Sequence, residues 1–469
     1  METLYQQLAE DLRTSIRQGS FQPGDRLPGV RQLSRQRNLS IATVIAAYRL
    51  LEDQGVLESR QRSGFYVRAQ LSNRIPQPRP LTDTPHPAPV TGQEMVVQLI
   101  RAASNPSVVQ LGAAVPAPEF LPTRAIERAL IRSARQHRVR SANYEFSPGS
   151  PELRRQLARR MAEAGCAVNP DNLVITNGTQ EALSIALRAV TRPGDVVAIE
   201  SPAFYGLLQV LESLGLEALE IPTHPLTGIS IEALELAISR WPVKACVVVP
   251  NFSNPLGASM PLEHKKRLVR LLDRQQIVLI EDDIYGDLAF SGQRPPLCMG
   301  MTNSGNVILC SSVSKTLSPG LRVGWIAPGR FQQRVEYMKY VLNLATPTIP
   351  QLAVADLLES GVYERHLRKV RGEYAQAVAR MTQAVSDYFP EGTRVTRPQG
   401  GFVIWLELPD SVDSFDLARR ALAQGISIAP GPIFSPSQKY RNFVRLSCAC
   451  VWNTRVEKAV IKLGSLVAE

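Results

Sequence analysis

Cysteine is scarce. The 469 residues hold six (Cys166, Cys246, Cys298, Cys310, Cys448 and Cys450), with no C-x-x-C pair. That spacing argues against a disulfide scaffold and a zinc ribbon, and no metal site is expected. Cys246 and Cys310 fall in apolar runs, where a thiol of a reduced chain fills core space. Long apolar runs are missing too: none approaches the roughly 20 residues that span a bilayer. The opening METLYQQLAEDLRTSIRQG is polar and helical in pattern, so it reads as neither signal nor transit peptide. The expectation is a cytoplasmic chain with no membrane partner. Lysine is absent from residues 1–70, where ten arginines face seven acids, so the net charge of +11 is spread over the whole chain. A basic balance permits nucleic-acid contact without demanding it. Apolar residues at 44% and charged residues at 20% set aside a disordered chain, and at about 150 residues per domain the length predicts about three units.

Six prolines stand among residues 71–90, LSNRIPQPRPLTDTPHPAPV. Such density disfavours helix and sheet and predicts a semi-extended spacer reaching roughly 60 Å at most; the alternative is an ordered strap on the larger unit. Before it, Leu4, Leu8, Leu12 and Ile16 recur at helical spacing. A turn at Gln22-Pro23-Gly24-Asp25 leads to a short helix from about Val30 to Arg37, broken at Asn38-Leu39. Ser40 can cap a third helix, Ile41 to Gln54, that stops at Gly55. VLESRQRSGFYVRA then reads as strand, turn at Ser63-Gly64, strand. Helix–turn–helix plus β-wing is a DNA-reading geometry, with the third helix sized for the major groove. After the spacer, Val/Ile-rich strands alternate with amphipathic helices, which predicts a mostly parallel sheet covered on both faces. Ligands of such sheets gather at the strands' carboxyl ends.

Four strands release unusual residues there. NLVIT is followed by Asn177-Gly178-Thr179-Gln180 opening a helix, an anion cradle of free amides and a hydroxyl. VVVP leads to Asn254-Pro255-Leu256-Gly257, IVLI to Glu281-Asp282-Asp283-Ile284-Tyr285, and NVILC to Ser311-Ser312-Val313-Ser314-Lys315, with Arg322 beyond. Singly each has a plain reading: a turn, a cap, a solvated lysine. Together they suit one ligand. Gly178, Thr179, Ser312, Ser314 and Arg322 offer a phosphate amides, hydroxyls and a bidentate cation. Lys315 can form a Schiff base with an aldehyde, a carboxylate can keep a ring nitrogen protonated, and Tyr285 and Asn254 can hold a ring oxygen. The ligand so described is pyridoxal 5′-phosphate.

The chain also resembles known families. Residues 95–469 look like a fold-type I, class I/II aminotransferase, on Tyr144 before Ser147–Arg154, NGTQEAL, ESPAFY, NPLG, EDDIY, SSVSKTLSPGLRVGW and FVRLSCA. Residues 1–70 resemble a GntR-type winged helix, on PGDRLPGVRQLS and the TVxxAYxLLxxxG pattern. Together they resemble the MocR family, which implies a winged helix-turn-helix at 1–70, a Pro-rich linker at 71–94 and an α/β aminotransferase-like domain at 95–469. Within that domain the large part covers about 144–345, and the small part 95–143 and 346–469. The resemblance implies that Lys315 carries the cofactor, Asp282 pairs with the ring nitrogen, and Tyr285 and Asn254 hold the ring oxygen. Gly178, Thr179, Ser312, Ser314 and Arg322 take the phosphate, and Phe204 (or Tyr205) stacks on the ring. Arg445 binds a substrate carboxylate, against a plain reading as a strand-end charge. Tyr144 reaches the partner subunit's phosphate in a homodimer. On DNA, Arg31 would contact phosphate, with Ser40 and Thr43 at the head of the third helix and Gly64 in the wing. Ile41 and Ile45 stand where relatives carry arginine, and Arg62 where a wing glycine is usual. Fewer base-reading arginines shift weight to phosphate contacts and DNA shape.

These features point to a transcriptional regulator, dimeric on operator DNA, that binds pyridoxal phosphate and senses a small amino acid or amine, or pyridoxal phosphate itself. The alternative is a working aminotransferase with a secondary DNA-binding domain, because nothing catalytic is missing. A third reading, an aminotransferase-like domain serving dimerisation alone, would leave Lys315 idle.

Overall fold

The structure is a computed structural model that describes residues 4–17, 20–21, 24–53, 56–60, 64–67, 75–81, 84–91, 96–97, 101 and 105–469. At the N-terminus, α1 (Leu4–Arg17), α2 (Val30–Arg37) and α3 (Ile41–Asp53) precede the antiparallel hairpin of β1 (Leu57–Arg60) and β2 (Gly64–Val67). Leu8, Leu12 and Ile16 pack against Val44, Ala47 and Leu51, whereas Leu4, at the open end of the stripe, is exposed. α2 ends where Asn38 takes φ 51°, a left-handed position that asparagine tolerates. Ser40 Oγ accepts the Thr43 N–H at 3.0 Å and caps α3. The segment at Asp25–Leu27 bonds to the wing, Leu27 N–H to Phe65 O and Val67 N–H to Asp25 O, both at 2.9 Å. Gly64 holds φ +111° with the Arg26 guanidinium 3.3 Å from where a Cβ would stand, so the position favours glycine. Gln22, Pro23, Gln54, Gly55 and Arg62 lie outside the described residues.

The proline segment departs from the spacer expected of it. Pro87–Pro89 form strand β3, antiparallel to β7 (Glu217–His224). Proline is compatible with a sheet edge, where one side of the strand needs no ladder donors, and Ala88 between the two prolines keeps its N–H. Upstream, Arg397 donates to the Ile75 carbonyl at 2.8 Å. Val395 N–H donates to Pro76 O at 3.0 Å, and Arg79 N–H to Glu407 Oε2 at 3.0 Å. The described part of this segment is therefore a strap along the larger unit.

The main sheet runs in the order β3, β7, β6 (Val196–Ser201), β9 (Val243–Val248), β10 (Val278–Asp282), β11 (Val307–Ser312), β12 (Gly324–Ala327), β5 (Val174–Thr176). Strands β7 through β11 of that order are parallel, as the unbroken apolar runs predict. β12, like β3, runs against its neighbours, antiparallel to both β11 and β5. Its start at Gly324 sits opposite Ser312 and Thr176, which brings three strand ends to one edge. Helices including Thr179–Val190 and Leu262–Arg274 cover the faces, with apolar clusters on each side of the sheet. A second, antiparallel sheet joins β13 (Arg394–Val395), β14 (Val403–Glu407), β17 (Phe443–Ser447) and β16 (Ala429–Pro430). Five cysteines are buried and Cys450 half-buried, all free thiols. No described helix is long and apolar enough to cross a membrane.

Candidate functional site

The carboxyl ends of β5, β6, β9, β10 and β11 meet around a cavity of about 190 Å³. Thr179, Phe204, Asn254, Asp282, Tyr285, Ser314, Lys315 and Arg322 line it, so one place collects most of the residues singled out from the sequence. Gly178 and Ser312 stand beside this wall: Gly178 precedes the helix at Thr179 with φ +90°, and Ser312 Oγ accepts the Ser314 N–H at 3.2 Å. A Cβ at Gly178 would fall 2.5 Å from Arg322 Nη2. Only glycine lets that guanidinium lie over the helix start. Arg322 bonds backbone carbonyls, Nη2 to Asn177 O and Nη1 to Pro319 O at 3.3 Å.

Lys315 is half-buried, and its Nζ donates to the Ala114 carbonyl at 2.7 Å. Burial first, then the Arg445 and Arg322 charges, pushes the amine down to about 8, although Asp282 pulls the other way. Across the cavity, burial and then neighbouring Asp283 push Asp282 up to about 7. Asp283 itself accepts from Asn251 Nδ2 at 2.7 Å and from Arg294, and Lys265 Nζ donates to Asn251 Oδ1 at 2.6 Å. This buried lattice fixes the backbone on which Asp282 stands. Tyr285, 2% exposed, shares a hydrogen bond with Asn254, and burial holds its phenol well above the usual range.

Arg445, central in β17, is fully buried. It donates to Asn254 Oδ1 at 3.0 Å and to Gly112 O, and no carboxylate of the described residues is among its partners. Tyr144 stands apart, 68% exposed, its ring 5.4 Å from Phe146. In the winged helix, Arg31 and Ser40 are exposed and Thr43 partly buried. The Ser40 and Thr43 hydroxyls lie 2.8 Å apart, engaged with each other and the cap.

Among the residues that line the cavity, two buried oxygens have no protein partner: Thr179 Oγ1 at the helix start and Asp282 Oδ1. Buried polar atoms are rarely left so. A phosphate acceptor against Thr179 and Arg322, and a protonated ring nitrogen against Asp282, would satisfy both. The residues thus fit pyridoxal 5′-phosphate. Sequence reasoning passed over the Ala114 carbonyl, because a backbone acceptor leaves no residue-type signature. It named Gln180 only as part of the helix opening, without the role the fold gives it, lining the cavity and donating to Gly206 O at 2.7 Å, and it passed over Phe434, whose packing only the fold reveals.

Comparison with known proteins agrees with this geometry. Residues 108–463 match the aminotransferase class I and II family, and residues 4–67 the bacterial regulatory proteins of the gntR family. The chain is 40% identical over 465 residues to the HTH-type transcriptional regulator YjiR of Escherichia coli (strain K12), covering 99% of each. The kynurenine aminotransferase of Pyrococcus horikoshii, solved in complex with PMP, superposes with TM-score 0.74 at 28% identity, over 80% of this chain and 94% of that one. The α-aminoadipate aminotransferase LysN of Thermus thermophilus, complexed with N-(5′-phosphopyridoxyl)-L-leucine, superposes with TM-score 0.73 at 29% identity, over 81% and 95%. A gntR-type winged helix joined to a class I and II aminotransferase domain with a pyridoxal phosphate pocket places the chain in the MocR family.

Proposed function

We propose that the protein is a pyridoxal phosphate-dependent transcriptional regulator that binds operator DNA through its winged helix and senses a small amino compound in the cavity at Lys315. One observation carries this reading: Lys315, a half-buried amine lining a cavity with an unpartnered Asp282 oxygen, lies on the same chain as a winged helix. Bound pyridoxal phosphate supplies an aldehyde that captures primary amines and a ring that withdraws electrons from them. Thr179, Ser314 and Arg322 bind its phosphate, and Gly178 lets the guanidinium approach. Asp282 holds a proton at the ring nitrogen, Tyr285 and Asn254 bind the ring oxygen, and Phe204 covers one face. Arg445 receives the effector's carboxylate as a bidentate partner. Arg31 contacts DNA phosphate, with Ser40, Thr43 and Gly64 at the groove. The effector shifts the regulator only if it binds one arrangement of the chain better than another.

The functional unit is a homodimer in the cytoplasm. Phe146 pairs with Ala345, so Tyr144 and Phe146 adjoin the end of the helix Gln332–Asn343. There Tyr340, Val341 and Leu342 are all exposed. An apolar surface of this kind marks an interface, and Tyr144 would reach across it to the partner subunit's phosphate.

A second reading, a working aminotransferase, is favoured by Lys315, Asp282, Tyr285 and Arg445 all being present, the last three of them buried. The deciding experiment titrates DNA from beside the protein's own gene, with and without pyridoxal phosphate and candidate amino acids. The regulator reading expects specific retention that amino acids alter. Absence of any preference over random DNA, together with multiple-turnover amino exchange near roughly 10 s⁻¹, would establish the enzyme instead.

A further inference from the structure

Arg445 is a full positive charge, 0% exposed, held by neutral groups alone. Two of its donors reach the Asn254 amide oxygen and the Gly112 carbonyl, while Nε has no partner. A buried ion ordinarily needs an opposite charge or dense hydrogen bonding. Aromatic rings take that place here. The guanidinium carbon lies 5.2 Å from the Phe434 ring centroid and 5.7 Å from that of Tyr205, both within cation–π range. The rings are themselves fixed. Phe434 packs edge-on against Tyr205 at 5.6 Å and against Trp405 at 5.2 Å, and its carbonyl accepts the Ala203 N–H at 2.9 Å. Tyr205 also touches Phe204, centroid to centroid 4.7 Å.

We infer that Tyr205 and Phe434 are positioning residues that form an aromatic seat for Arg445, fixing its guanidinium while leaving its charge free for a ligand carboxylate. This rests on the reading of Arg445 as the carboxylate site. A protein carboxylate in the seat's place would hold the arginine as firmly and cancel the charge the ligand needs. Ring faces stabilise the cation without cancelling it. Because Tyr205 bridges Arg445 to Phe204, the ring over the cofactor, filling the carboxylate site also presses on the cofactor's environment.

The test uses the full chain loaded with pyridoxal phosphate and titrated with propionate, a small carboxylate with no amine, by calorimetry and by the bound cofactor's absorbance. Phe434→Leu and Tyr205→Leu are expected to raise the propionate Kd about tenfold. Phe434 does not line the cofactor cavity, so Phe434→Leu should keep the wild-type cofactor absorbance without propionate, which also reports an intact fold. Tyr205→Phe keeps the ring and should bind within about twofold of wild type. Wild-type propionate affinity in both leucine variants, with binding abolished in Arg445→Ala, overturns the seat and leaves the carboxylate site standing. Wild-type affinity in Arg445→Ala, or a wild-type protein indifferent to propionate, overturns both.

Discussion

Two titrating groups, Lys315 and Asp282, line the pocket, and each makes a distinct pH prediction. With Lys315 held near 8 by burial and by Arg445 and Arg322, about a tenth of it is neutral at pH 7, far more than of a free lysine. Uptake of pyridoxal phosphate by the apo protein should therefore quicken roughly tenfold per pH unit up to about pH 8, then level off. Stopped-flow absorbance reads this directly, and a rate still climbing to pH 10 would contradict it. Asp282, raised to about 7, sits above its unfolded value of about 3.9. The folded chain keeps that proton longer, so this carboxyl costs stability progressively as pH rises from about 4 to about 7. Apo Asp282→Asn should melt higher than wild type near pH 8 and with it near pH 4, while binding the cofactor more weakly. These residues could be read from the sequence because strand ends release their chemistry in chain order. Arg445 was legible only through the FVRLSCA resemblance, since nothing local separates a carboxylate-binding arginine from a solvated one. Its aromatic seat was not legible, because Tyr205 and Phe434 meet only after the two sheets pack.

Among elements, α2 was legible to the residue at both ends, because Asn38 breaks it and Ser40 restarts the chain as α3. β12 was not: its pairing, antiparallel to β11 and β5, is imposed by its neighbours and leaves no trace in an apolar run. Nor was β3, where proline content argued against any strand. The start of α3 separates folding from recognition. Ser40→Ala loses the cap and should cost about 1 kcal/mol in urea unfolding of the winged helix. Arg31→Ala, on an exposed position of α2, should leave unfolding unchanged but lower the slope of log DNA affinity against log salt by about 1. Identical salt slopes for wild type and Arg31→Ala would remove Arg31 from the phosphate contacts.

For the whole molecule, the exposed Tyr144, Phe146, Tyr340 and Val341 predict that Tyr340→Glu with Val341→Glu yields monomers in sedimentation velocity. Those monomers should retain the winged-helix fold and lose high-affinity operator binding; dimers that persist would move the interface elsewhere. The strap along the larger unit has a separate consequence. Ile75, Pro76 and Arg79 are tied to the larger unit, and eight links of chain separate Val67, the end of the wing strand, from Ile75. Eight links extend to no more than about 28 Å, under one turn of duplex. In a dimer, that reach would make the distance between the two anchors limit which half-site spacings a pair of winged helices can straddle.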